Sequence, residues 1–295
     1  MHDSHSATAS DWWEAARPHT WANAFAPVIA GSGAAAYHGG FSWWRALLAA
    51  VVSWALIIGV NYANDYSDGI KGTDEDRTGP LRLTGSGLAA PASVKRAAFL
   101  SFGVAAVAGI ALSLASAWWF ILIGALCIVA AWFYTGGKNP YGYRGLGEVA
   151  VFTFFGLVAV CGTEFTQAGR VSWAGFATSI AVGAISAAVN LANNLRDIPS
   201  DTEAGKITLA VRLGDAGTRR LWLFLASLPL LASVVLAALA TPWALAGVLA
   251  FALLIPASQP IRSGATGPAL IPVLGLTGRA MLAWSVLTGL ALAFG

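Results

Sequence analysis

Residues 18–44, 97–137 and 221–261 of this chain carry no Asp, Glu, Lys or Arg. A helix that crosses a bilayer needs about 20 mostly apolar residues. The second and third stretches, 41 residues each, therefore have room for two crossings and a tight turn. Turns are expected at Ser116–Trp119 and Thr241–Trp243, where Pro242 and the tryptophans suit a membrane interface. Only 11% of the 295 residues are charged, whereas an ordinary soluble domain is about one-quarter charged. Together with a mean hydropathy of +0.67, this points to lipid as the main solvent.

The reading is a single all-α, multi-pass membrane domain over residues 1–295. Nine spans are expected, at 20–37, 43–65, 93–115, 118–136, 146–166, 172–195, 218–240, 242–260 and 275–294. Residues 1–19 contain Asp3, Asp11 and Glu14 and are expected as a short cytoplasmic arm. With the N-terminus inside, 15 of the 17 Lys and Arg fall on the cytoplasmic side, leaving Arg45 and Arg170 outside. The positive-inside rule favours that orientation. The net charge of +3 is thus a membrane signature and no sign of nucleic-acid binding. Cys127 and Cys161 fall within spans and read as small buried hydrophobes. The four histidines show no ligand spacing.

The chain repeats itself. Residues 61–68 read N-Y-A-N-D-Y-S-D and residues 190–197 read N-L-A-N-N-L-R-D. Both copies end a span on the cytoplasmic side, so the repeat is parallel. Repeated halves often enclose a functional site between them. On a helix, Asn61, Asn64 or Asp65, and Asp68 share one face. So do Asn190, Asn194, Asp197 and Asp201, if the helix persists past Pro199. Two facing stripes would form an acidic, oxygen-lined pocket. Acidic groups near a bilayer are costly and mark function. Hard oxygen donors without His or Cys suit magnesium, which takes one or two carboxylates and completes its shell with water and substrate phosphates. The stripes therefore suggest a diphosphate held through metal ions.

The loops beside them are basic. They supply Lys71, Arg77 and Arg82, then Lys138 and Arg144, then Arg196, Lys206 and Arg212. Such groups amid Gly-rich backbone suit phosphate oxygens. Positive-inside bias accounts for most of these charges but not for their position beside the acids. A cation-coupled transporter is the alternative from a different class. The placement of the acids at cytoplasmic helix ends weighs against it.

At these residues the chain resembles a known family. N-D-Y-S-D (64–68) with Asp74, and N-N-L-R-D-I-P-S-D (193–201), are similar to the paired aspartate-rich motifs of the UbiA-type intramembrane prenyltransferases. Tyr134 and Lys138 fit that superfamily's Y-x-x-x-K element. Gly72 stands where the first motif's last Asp is usual, and Asp74 follows two residues later. Longer stretches at 61–74, 79–87, 140–148 and 193–214 resemble the MenA branch, which prenylates 1,4-dihydroxy-2-naphthoate.

The resemblance implies helices around a central cavity in the cell (plasma) membrane. It implies an active site on the cytoplasmic side and a lateral opening for the prenyl tail. It also implies a polyprenyl diphosphate donor, with membrane lipids as surroundings. Two Mg²⁺ ions would bridge the diphosphate to Asp65 and Asp68 on one side and to Asp197 and Asp201 on the other. Asn61, Asn64 and Asn194 would add ligands or orient the carboxylates. Arg77, Arg82, Lys138 and Lys206 would neutralise phosphate oxygens. Tyr134 would face the diphosphate or an allylic cation, and Glu148 is a candidate for acceptor binding, for a base or for a helix cap. Another aromatic acceptor within the superfamily is the alternative.

Overall fold

A computed structural model describes residues 6–72 and 81–295. Asp74 and Arg77, both singled out above, lie outside the described residues. No strand occurs among the described residues.

All nine expected segments are helical. In order they are α2 (Ala22–Tyr37), α3 (Trp43–Lys71), α4 (Pro91–Leu114), α5 (Phe120–Phe133), a composite helix α6–α7 (Gly147–Ala168), α8 (Trp173–Arg196), α10 (Leu209–Leu239), α11 (Pro242–Arg262, opening as a 3-10 turn) and α12 (Ile271–Phe294, entered through a 3-10 turn from Gly267). Seven of these are long and apolar enough to cross a membrane. The other two, α2 and α5, have 16 and 14 residues. Length and composition by themselves thus mark seven of the nine expected segments as candidate spans. Outward-facing Leu100, Val107, Leu114, Leu122 and Leu126 are exposed, as a lipid-facing surface requires.

The expected arm contains a helix. Its residues Ala9–Ala15 form helix α1, opened by a capping box between Thr8 and Asp11. The helix docks on α3: the Tyr62 hydroxyl donates to Trp12 O at 2.9 Å, and the Trp12 and Tyr62 rings meet edge to face. Asn61 Nδ2 donates to Ala16 O at 2.9 Å and to Thr20 Oγ1 at 3.1 Å. A motif residue therefore fastens the N-terminal segment.

In lipid, helices gain little from hydrophobic association and pack through small residues that let backbones approach. Helix α8 follows this rule, burying Ala181, Ala184, Ala187, Ala188 and Ala192. Gly156 and Gly183 meet backbone to backbone; a Cβ on Gly156 would lie 2.6 Å from Gly183 Cα. That approach seats α8 against a π-helical stretch, Phe152–Cys161, inside the composite helix. In each half the motif helix packs on the next long one, α3 on α4 and α8 on α10.

The second motif does not make one continuous stripe. Helix α8 ends at Arg196, Asp197 leaves helical geometry (φ −94°, ψ 5°), and a separate short helix α9 (Ile198–Glu203) carries Asp201. Pro199 explains the break: proline cannot donate its amide and suits the first turn of a new helix.

Candidate active site

Helices α2 to α8 and α12 enclose a cavity of about 720 Å³. One end is polar and sits at the C-terminal ends of α3 and α8. Asn61, Asn64, Asp68, Asn190, Asn193 and Asn194 line it, with Arg82, Arg196 and Lys206. The rest is apolar, running along Leu56, Ile123, Phe154 and Phe155 to Leu112 and Phe120 at the opposite helix ends. Its lining suits an amphiphile with a charged head and a long hydrocarbon tail. Helix α5 forms part of this wall while burying none of its own side chains.

The expected site residues divide into two groups. Asn61, Asn64, Asp68, Asn194, Arg82, Lys206 and Tyr134 all line the cavity. Asp65, Asp197, Asp201, Glu148 and Lys138 do not, and each has a local reason. Asp65 is 1% exposed and accepts from the amides of Leu83 and Thr84, both at 2.8 Å. It thereby anchors the segment that carries Arg82. Asp197 pairs with its neighbour Arg196, whose Nε and Nη2 donate at 2.7 and 2.9 Å. Asp201 lies 3.5 Å from Lys206 Nζ. Glu148 sits behind the wall, its Oε1 accepting from Asn190 and Asn194. Lys138 is exposed and opens onto a separate surface pocket with Arg144 and Arg212. The expected face-to-face carboxylates are therefore replaced by carboxylates held by amides and cations.

Asp68 accepts from the Tyr143 hydroxyl at 2.5 Å. The Tyr143 ring lies 4.9 Å from Lys71 Nζ and 5.1 Å from Lys206 Nζ, within cation–π range. Asn64 Oδ1 accepts from Thr135 Oγ1 at 2.8 Å. The N-terminal segment adds Arg17, His19 and Asn23 to the cavity wall. Burial is the main influence holding the His19 imidazole below the usual histidine range, reinforced by the Arg17 and Arg196 charges. Arg17 itself adopts a left-handed conformation (φ 54°) ahead of Pro18.

Sequence reasoning gave no role to Arg17, His19, Asn23, Asn193 or Tyr143. Asn193 was legible as the repeat partner of Asn64. Tyr143 lies within the 140–148 stretch singled out above, whereas Arg17, His19 and Asn23 lie in none of those stretches.

Among the described residues, no three His, Cys, Asp or Glu side chains converge as a ready-made metal cage. The donors at the polar end are a carboxylate and several amide oxygens, the chemistry of a hard divalent cation. Mg²⁺ needs only one or two protein carboxylates when phosphates and water complete its shell. The residues present fit such an ion.

Comparison with known proteins agrees with this architecture. The UbiA prenyltransferase family profile matches residues 24–265. The 1,4-dihydroxy-2-naphthoate octaprenyltransferase of Mycobacterium tuberculosis is 57% identical over 289 residues, covering 98% of this chain and 99% of that protein. The enzyme of the same name from Escherichia coli is 38% identical, covering 94% and 92%. Among solved structures, the apo UbiA homologue of Aeropyrum pernix superposes with a TM-score of 0.68 at 16% identity, covering 89% of this chain and 96% of that one. A UbiA homologue from Archaeoglobus fulgidus, solved with DMAPP and Mg²⁺, gives 0.63 at 15% identity, covering 96% and 99%. Fold, full-length similarity and family match agree, and the chain belongs to the UbiA prenyltransferase family.

Proposed function

We propose that the protein transfers a polyprenyl group from a polyprenyl diphosphate to 1,4-dihydroxy-2-naphthoate, with loss of the acceptor's carboxyl as CO2. The observation that carries this reading is the 57% identity, over nearly the whole of both chains, to an octaprenyltransferase acting on that naphthoate. The cavity supports it independently, with amide, carboxylate and cationic groups at one end and an apolar run behind them.

Asp68, Asn61, Asn64 and Asn194 would hold Mg²⁺ at the polar end, and two ions match two motifs. When bound there, the metal would neutralise the diphosphate and make it a better leaving group. Arg82 and Lys206 bind the phosphate oxygens, and Arg77 and Lys138 add positive charge on the cytoplasmic side. Asp65 holds the segment bearing Arg82, and Asp197 and Asp201 hold Arg196 and Lys206. Tyr134 faces the reacting carbon. The prenyl C1–O bond breaks and its electron pair leaves with the diphosphate. The electron-rich ring carbon of the naphthoate attacks the allylic cation, and loss of CO2 restores aromaticity. The apolar walls keep water from the cation. The product is demethylmenaquinol. The protein acts in the plasma membrane with its N-terminus and site on the cytoplasmic side, an orientation supported by the bias of its basic residues.

Transport is the weaker reading. Its far-side acid, Glu164, accepts from the backbone and hydroxyl of Ser172 at the start of α8, and so serves as a helix cap rather than a step on a path.

The test is product analysis. Purified protein receives the naphthoate, a long-chain prenyl diphosphate and Mg²⁺, with and without chelator. A chelator-sensitive prenylated naphthoquinone is expected. Prenylation of 4-hydroxybenzoate instead would overturn the acceptor while keeping the chemistry. Folded protein that prenylates neither would overturn the reading.

A further inference from the structure

Glu148 is an acid with no direct place at the cavity. It is 4% exposed, and its Oε1 accepts from Asn190 Nδ2 at 3.1 Å and Asn194 Nδ2 at 2.7 Å. The cluster is closely fitted: a Cβ on the preceding Gly147 would lie 3.0 Å from Tyr134 Oη and 3.2 Å from Asn190 Nδ2. A glycine there lets the carboxylate reach α8.

The donor and acceptor rules then fix more than a hydrogen bond. An ionised carboxylate only accepts, so each amide must turn its NH2 toward Glu148. The amide oxygen lies on the other side of the same carbon. Asn190 and Asn194 are four residues apart, on one face of α8, and both line the cavity. Turning both NH2 groups outward therefore turns both Oδ1 atoms inward. Without the acid behind them, either amide could rotate by half a turn and offer the cavity a donor, which repels a cation.

We propose that Glu148 is a positioning residue that sets the amide oxygens of Asn190 and Asn194 toward the cavity, where they serve as ligands for the metal–diphosphate head. This rests on the reading of the polar end as a metal–diphosphate site, and it makes Asn190 a second amide ligand in the second motif. It also gives Glu148 a role distinct from acceptor binding. The first motif achieves the same orientation with neutral groups, since Asn61 Nδ2 is held by Ala16 O and Thr20 Oγ1.

The experiment exchanges the partners. Wild type, E148A, N194D and the double variant E148Q/N194D are purified, and thermal unfolding checks the fold. Mn²⁺ binding in the presence of inorganic diphosphate is read from the free-ion EPR signal, with no turnover involved. Removing an outer partner of a metal ligand costs about 10- to 100-fold in affinity, so E148A weakens binding by at least about tenfold. N194D adds a negative charge yet also weakens binding, because it sets two carboxylates against each other. The double variant restores it to within about threefold of wild type, since the new amide donates to the new carboxylate. Binding in N194D as tight as in wild type, or no recovery in the double variant, overturns the proposal. Where E148A does not fold, the N194D and double-variant pair decides alone. If wild type binds no Mn²⁺ with diphosphate, the reading of the site itself falls.

Discussion

The two motifs are alike in sequence and unlike in how they are held. In the first, helix α3 runs through the motif to Lys71, and Asp65 is gripped by two backbone amides. In the second, helix α8 stops at Arg196 and the acids meet cations, Arg196 for Asp197 and Lys206 for Asp201. Asn194 stands where the first copy has Asp65. Amides leave a carboxylate its full negative charge, whereas a guanidinium largely cancels it. The two acids of the second motif thus each meet a basic side chain, whereas Asp65 of the first is held by uncharged donors. Two stretches alike in sequence are therefore held by different kinds of partner.

The sharpest way to break this comparison is to neutralise one acid in each motif. D68N and D197N are each expected to lower turnover by more than about 100-fold, measured as product formed at saturating substrates. Near-normal activity in either would remove that half from the reaction. The next effect concerns stability. Arg196 and Asp197 form a buried pair, their side chains 5% and 3% exposed. Removing one partner of such a pair costs about 3 kcal/mol, so R196Q should unfold at much lower denaturant than wild type. Y143F, which removes one hydrogen bond from Asp68, should cost only about 1 kcal/mol. Equal losses would mean that the two motifs are held alike.

Among the lysines, K206A is expected to raise the KM for prenyl diphosphate about tenfold, because Lys206 lines the cavity. K138A, on the separate surface pocket, should change it by no more than about threefold. The reverse order would return Lys138 to the cavity. The smallest expected effect is a pH slope. His19 resists protonation in the folded protein, while the unfolded chain takes up a proton as pH falls below the ordinary histidine value. Stability contributed by this group is present above that value and lost below it. Thermal unfolding at pH 7.5, 6.5 and 5.5 should show a shallower decline in H19N than in wild type.

How much was legible in the sequence follows from what leaves a trace there. The helices did, because lipid demands long, mostly apolar stretches, and all nine expected segments are helical. The polar end of the cavity did too, because Asn and Asp at the ends of apolar helices are costly enough to stand out. The direction in which each acid points did not. The partners of Asp65 are the backbone amides of Leu83 and Thr84, which any residue would supply. The break at Asp197 was foreshadowed by Pro199, yet only the fold shows that it separates Asp201 from the α8 face. Tyr134 and Lys138 share one short sequence element, yet Tyr134 lines the cavity and Lys138 a separate surface pocket, a division that spacing in the chain does not reveal. The docking of helix α1 within the expected arm left no trace either, because it rests on a contact between Trp12 and Tyr62, 50 residues apart in the chain.

The docking of that first helix bears on the order in which the protein is made. Ala16 leaves the ribosome 45 residues ahead of Asn61, the residue that holds it. The contacts that fasten the segment carrying Arg17 and His19 can form only once α3 has been made. The site is finished from its beginning, by the part of the chain that was synthesised first and settles late. Anything fused close to the N-terminus would accompany that segment to the rim of the active site.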